Sequence, residues 1–230
     1  MIVAQTFWGP ITMYKFELLN NHYIVTINHQ RFLLDTGSPS SFLISHTPTQ
    51  KELMIDDKSF KLSDKPNRVN GNDVDDLVGI HVDGFIGLDI INQTGLTIYK
   101  KGEIDFKVNQ IKGNKLLINK NNGYLNISVL CNGFKRNLLI DTGARYGYGV
   151  SELFINSTPI NKVKDYSPVF GMLDSYQYDV EINNKKVGVC YNRVVEPSLK
   201  MLGVSVISNI TSLYEEVCVL NTMKGEVILK

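Results

Sequence analysis

Apolar and polar residues alternate with a period of two along much of the chain, in short stretches bounded by turn-forming residues. This pattern predicts strands at 14–18, 23–27, 31–34, 77–82, 96–99 and 103–106 in the first half. In the second half it predicts them at 124–130, 135–140, 178–182, 186–194, 217–220 and 226–229. Asn28, His29 and Gln30 between the second and third stretches read as a hairpin turn. Helical signal is confined to 88–92 and 204–208, a turn or two each. The chain is therefore expected to be all-β.

The pattern also occurs twice. Tyr23 opens a strand that leads through a turn to Phe32, Leu33, Leu34, Asp35, Thr36, Gly37 and Ser38; Tyr124 opens one that leads to Leu138, Leu139, Ile140, Asp141, Thr142, Gly143 and Ala144. Asp83, Gly84, Phe85, Ile86, Gly87 and Leu88 follow in the first copy, and the second offers Met201, Leu202, Gly203 and Val204 as their counterpart. Each copy closes on a hairpin, around 100–103 and around 223–226. Two copies are too few for a solenoid. The polar stretch 107–115, with Gly113, divides the chain into 1–112 and 113–230.

At 230 residues the chain has room for two units of roughly 110 residues. Its 24 basic and 23 acidic residues leave a net charge of +1, which gives no reason to expect nucleic acid or an anionic membrane as partner. No apolar run is long enough to span a bilayer. The opening 1–19, with Trp8, Pro10 and Lys15, lacks a basic head and a continuous apolar stretch, so no signal peptide is expected and the cytoplasm is favoured over export. Trp8 reads as a core or interface residue. Cys131, Cys190 and Cys218 are odd in number and widely spaced, as expected of small buried apolar residues rather than a disulfide framework. His22, His29, His46 and His81 share no metal-ligand spacing, so no metal is expected. Asparagine is abundant and scattered, which reads as a compositional bias; the Asn-x-Ser/Thr triplets at Asn92, Asn126, Asn156 and Asn209 are then chance occurrences.

The chemistry lies in the two Asp-Thr-Gly triplets. Each aspartate ends an apolar strand, where a carboxylate is costly to ionise unless hydrogen-bonded. Gly37 and Gly143 let two such turns approach closely, and Thr36 and Thr142 can donate across to the opposite turn. A pseudo-twofold axis would bring Asp35 and Asp141 together, where they cannot both ionise and share one proton. One then acts as base towards a water and the other donates to the carbonyl oxygen under attack. Ser38 either caps its turn or donates to Asp35; in the latter case Asp35 is the more acidic partner and the proton rests on Asp141, which has only Ala144 beside it.

The doubled apolar-apolar-Asp-Thr-Gly-Ser/Ala pattern, with Phe85-Ile86-Gly87 and Leu202-Gly203 downstream, resembles the pepsin and retropepsin superfamily of aspartic proteases. The spacings, 52 residues from Asp35 to Gly87 and 62 from Asp141 to Gly203, are similar to retropepsin lobes. The resemblance implies two β-barrel lobes in one chain with a cleft between them, a monomer with an internal pseudo-dimer, a peptide or protein substrate and no cofactor. It also implies a flap hairpin, for which Val169, Phe170, Gly171 and Met172 are the candidates in the second half. In the first half only 55–60 and the polar run 65–72 are available, and neither has an apolar tip with glycine. Tyr146 and Tyr148 either line the cleft or pack between lobes. Two other readings stay open: an inactive peptide-binding module on the same fold, and an unrelated β-sandwich.

Overall fold

The computed structural model describes residues 13–44, 51–67, 69–119, 123–167 and 169–230; Trp8 and His46 lie outside them. The protein is predominantly β. The first half runs β1 (Tyr14–Leu19), β2 (His22–Ile27), β3 (Gln30–Leu34), β4 (Phe42–Leu43), β5 (Glu52–Ile55), β6 (Lys58–Lys61), α1 (Gly71–Val78), β7 (Gly84–Ile86), α2 (Leu88–Thr94), β8 (Leu96–Tyr99) and β9 (Glu103–Asp105). The second runs β10 (Asn114–Asn119), β11 (Asn126–Cys131), β12 (Phe134–Ile140), β13 (Gly147–Gly149), β14 (Asn161–Ser167), β15 (Gly171–Ile182), β16 (Lys185–Tyr191), α3 (Glu196–Met201), β17 (Val206–Ser208), β18 (Val217–Asn221) and β19 (Glu226–Leu229).

Pairing follows the sequence repeat. In the first half β2 pairs antiparallel with β3, and β7 lies parallel to β3, so that Leu34 stands beside Ile86. In the second, β11 pairs antiparallel with β12, and β17 lies parallel to β12, with Ile140 beside Ser208. The halves are joined by a six-stranded antiparallel sheet in the order β1–β9–β8–β18–β19–β10, whose central pair takes one strand from each half. Leu96, Ile98, Cys218 and Leu220 of that pair are fully buried, and one apolar core continues through both halves. Cys131, Cys190 and Cys218 are buried free thiols within it.

Asparagine does structural work here that composition alone hides. Among the described residues, nine other than glycine have positive φ, and seven of them are asparagine. Asn20-Asn21, Asn28-His29, Asn132-Gly133 and Asn183-Asn184 have positive φ at both positions, the geometry of a two-residue hairpin that follows the right-handed twist of its strands. The asparagine count thus reflects tight hairpins rather than source bias alone.

Two elements differ from the sequence expectation. The expected strand at 77–82 is instead the end of α1 and the turn after it. Asn70 caps the helix, accepting from the Asn72 amide, and Gly79 ends it in the left-handed region at φ 91°. Val74 and Val78, one turn apart, join Ile24, Leu33, Phe42 and Phe85 in a second cluster, so α1 covers the face of β2, β3 and β7 that points away from the main core. The expected helix at 204–208 is not formed. The helix lies earlier, at α3, which begins at Glu196-Pro197, while Val206 and Ser208 are buried in β17.

Candidate functional site

Asp35 and Asp141 each follow directly on a buried strand, β3 and β12. The Asp35 amide donates to Ile86 O at 2.9 Å and the Asp141 amide to Ser208 O at 3.1 Å, so the strand threaded behind each loop fixes where its aspartate leaves the sheet. The loops meet across the two halves through four reciprocal hydrogen bonds. The Thr36 hydroxyl donates to Ile140 O at 2.8 Å and accepts from the Thr142 amide at 3.0 Å; the Thr142 hydroxyl donates to Leu34 O at 2.8 Å and accepts from the Thr36 amide at 3.0 Å. Both threonines are fully buried.

The glycines follow from this convergence. A Cβ on Gly37 would stand 2.5 Å from Asp141 Oδ2, and one on Gly143 would stand 2.5 Å from Asp35 Cγ, so each glycine lies flat against the carboxyl of the other half. The two carboxyls are hydrogen-bonded to each other. Asp35 Oδ1 accepts from the amides of Gly37 at 2.8 Å and Ser38 at 3.1 Å, and Asp141 Oδ1 accepts from Gly143 at 3.0 Å. Burial pushes both carboxyls above the ordinary carboxylate range. At Asp35 the charge of Asp141 adds to burial, and the amides of Gly37 and Ser38 work against it. At Asp141 the amides of Gly143, Ala144 and Gly37 work against burial. The pair holds one proton between its two carboxyls.

Ser38 does not act on Asp35 as expected. Its hydroxyl turns away from Asp35 and donates to Ser40 O at 2.8 Å; only its backbone amide serves the carboxyl. The second landmark of the second half is also corrected. The register of β12 with β17 places Ser208-Asn209 where the first half has Ile86-Gly87, whereas Leu202-Gly203 closes α3, with Gly203 at φ 68°. The true spacing from Asp141 is 68 residues, to Asn209.

Val169, Phe170, Gly171 and Met172 lie at the tip of the β14–β15 hairpin, whose pairing runs from Asn161 and Gln177 up to Ser167 and Gly171. Val169 and Met172 are exposed, while Phe170 packs against the core. The buried face of the hairpin carries Val163, Asp165, Leu173 and Ser175. Asp165 accepts from the Tyr148 hydroxyl at 3.0 Å, which places Tyr148 beneath the hairpin; Tyr146 packs against the core. On β14 the Tyr166 phenol is raised by burial and by a hydrogen bond with Asp73, so the hairpin of the second half touches α1 of the first. Among the described residues of the first half, the hairpin between Asp35 and Gly87 is the short β5–β6 one. Its turn bonds through Asp56 to the Tyr14 hydroxyl, and Leu53, Ile55 and Phe60 are buried, so it folds down onto the core. A cavity of about 400 Å³ lined by Tyr99, Lys100, Ile111, Glu216, Val217 and Lys230 touches neither carboxyl. Among the described residues no helix is long and apolar enough to cross a membrane.

His22 drew no functional expectation from the sequence beyond the lack of a metal spacing. Its ring is fully buried, with Nδ1 3.3 Å from Leu19 O. Burial, helped by the Arg145 cation, pushes its pKa down to about 4. The unfolded chain therefore binds a proton at His22 between about 6.5 and about 4 that the folded chain refuses. Stability from this group is complete above the unfolded value and falls with pH through that window, by ~3 kcal/mol at 1.36 kcal/mol per unit. The paired carboxyls act in the opposite sense, since the folded pair holds its proton more tightly than the unfolded chain. Urea unfolding of wild type and His22→Gln from pH 7 to pH 4.5 separates the two: the variant is expected to lose less stability on acidification.

No protein-family model matches the chain, and no curated protein matches it in sequence.

Proposed function

We propose that the chain is an aspartic endopeptidase with two retropepsin-like β-barrel lobes, 1–112 and 113–230, acting as a monomer without a cofactor. The observation that carries this reading is the reciprocal threonine lock, which sets two buried carboxyls face to face with one hydrogen bond between them. A water held between them loses a proton to the ionised carboxyl as its oxygen adds to the peptide carbon. The protonated carboxyl gives its proton to the carbonyl oxygen, forming a gem-diol. The first carboxyl then protonates the departing amide nitrogen while a diol hydroxyl returns a proton to the second. The peptide bond breaks, one water is consumed, and the pair regains its single proton. Thr36, Gly37, Thr142 and Gly143 hold the loops; Ser38 and Ala144 contribute their amides. An extended peptide lies between the carboxyls and the β14–β15 hairpin, pairing with it through backbone hydrogen bonds.

The test is cleavage of a denatured protein mixture across acid and neutral pH, with Asp35→Asn as control. New amino termini from wild type and none from the variant are expected. Tight peptide binding without cleavage at any pH would instead select a non-catalytic binding module.

A further inference from the structure

The two aspartate loops are braced differently. In the first half the brace is local: the Gly87 amide donates to Ser41 Oγ at 2.8 Å, Ser41 Oγ donates to Asp89 at 2.6 Å, and the Leu88 amide donates to Ser38 O at 2.9 Å. Glycine is required there because a Cβ on Gly87 would lie 2.6 Å from Ser40 O. In the second half Asn209 stands at the corresponding place, 3% exposed. Its amide nitrogen faces Asn21 O at 2.7 Å, Thr142 O at 3.2 Å and Ala144 O at 3.4 Å. Its oxygen accepts from the Thr211 amide at 3.1 Å and the Thr211 hydroxyl at 2.9 Å, which fixes the amide's orientation. Asn21, in the β1–β2 turn of the first half, donates to Arg145 O at 2.8 Å. The carbonyls of 142, 144 and 145 are thus held by two side chains, one from each half.

We propose that Asn209 is a positioning residue for Asp141; this rests on the reading of Asp35 and Asp141 as the hydrolytic pair. In a trans peptide the C=O and the following N–H point in opposite directions. A side chain that holds Thr142 O therefore aims the Gly143 amide, which donates to Asp141 Oδ1 at 3.0 Å. That amide favours the ionised form of Asp141. Arg145 O, held by Asn21, shares its peptide with the Tyr146 amide, which is not among the donors to Asp141. The Asp141 carboxyl is therefore tuned by Asn209 through the peptide at 142–143.

The experiment compares wild type, Asn209→Ser and Asn21→Gly by kcat, KM and the acid limb of kcat/KM, together with a ¹³C carboxyl titration of the pair. Serine still caps the turn at 210–212 but cannot span the carbonyls; glycine at 21 keeps the left-handed φ of 68° and the backbone carbonyl. Asn209→Ser is expected to lower kcat on the order of tenfold to a hundredfold with KM within about twofold. It should also move the acid limb and the Asp141 titration to higher pH, while Asn21→Gly leaves the titration in place. A folded Asn209→Ser that titrates like wild type overturns the proposal, as does an equal displacement in Asn21→Gly. If Asn209→Ser does not fold, Thr211→Val, which frees one of the bonds orienting the amide, should shift the titration in the same direction by less; no shift overturns the proposal. Absence of turnover in wild type counts against the endopeptidase reading alone, because the carboxyl titration still reads the brace.

Discussion

Asp35→Asn is expected to abolish peptide hydrolysis and, at neutral pH, to make the protein more stable. The amide is nearly isosteric with the protonated carboxyl. Its oxygen can accept from the Gly37 and Ser38 amides, as Asp35 Oδ1 does at 2.8 and 3.1 Å, and its NH₂ can donate to Asp141 as the shared proton does. It cannot give that proton to a substrate oxygen, so turnover should fall on the order of a thousandfold or more, the weight of a positioned general acid. The stability gain has a pH signature. Both carboxyls have raised folded values, chiefly by burial, so wild type loses stability as pH rises from the ordinary carboxylate range through those values. The variant keeps only the Asp141 carboxylate, now with a permanent donor beside it. Its advantage should appear at neutral pH and vanish near pH 3, where both aspartates would be protonated even in the unfolded chain. Thermal unfolding of the two proteins at pH 7 and pH 3 checks this; a variant less stable than wild type at pH 7 would show that the pair is not under electrostatic strain.

Thr142→Val is expected to cost about 2–5 kcal/mol of folding stability, although the two side chains have nearly the same shape. Valine removes the acceptor for the Thr36 amide and the donor for Leu34 O, and both of these groups lie where the two loops press together. A buried backbone group left unpaired costs about 1–3 kcal/mol, and there are two. Thr36→Val should cost a similar amount, since it strands the Thr142 amide and Ile140 O in the same way. The double variant should cost less than the sum, because once the first lock opens, water reaches groups that the second had shielded. Equilibrium denaturation of the three variants measures all of this. A Thr142→Val protein within about 0.5 kcal/mol of wild type would mean that the lock contributes no net stability.

The elements legible in the sequence are those whose signal is local. The strands leading into Asp35 and Asp141, the closing hairpins β8–β9 and β18–β19, and α2 are all visible as alternation or as short apolar runs bounded by turns. Misreading α1 as a strand has a specific origin: Leu77, Val78, Ile80 and Val82 form an apolar run too short to distinguish a strand from the end of a helix, and the decisive Asn70 cap lies seven residues before it. The convergence of Asp35 and Asp141 was open to inference because duplication makes symmetry visible. What broke the symmetry was not. Leu202-Gly203 imitates Ile86-Gly87 in composition, while the strand that actually threads behind Asp141 ends in Ser208-Asn209; only the register of β17 with β12 separates them. The Ser38 hydroxyl turned on one side-chain rotamer, which no pattern encodes. The Asn20-Asn21, Asn28-His29 and Asn183-Asn184 turns carried a readable signal, since asparagine is the commonest residue after glycine to accept a left-handed backbone.

The sheet that joins the two halves has a consequence for how the protein is made. One edge of β8 is covered by β9, which begins four residues after β8 ends, but its other edge is covered by β18, which begins 118 residues after β8 ends. At a synthesis rate of about 5–20 residues per second, that edge waits roughly 6–24 seconds on the ribosome with its N–H and C=O groups unpaired. The β8–β18 pair is antiparallel, so the waiting edge is of the kind that a β8 on a neighbouring nascent chain can also fill. Ribosomes crowded on one message bring such edges close together. Overproduction should therefore trap first halves paired with one another, and slowing initiation should raise the soluble yield more than lowering the temperature after synthesis is complete.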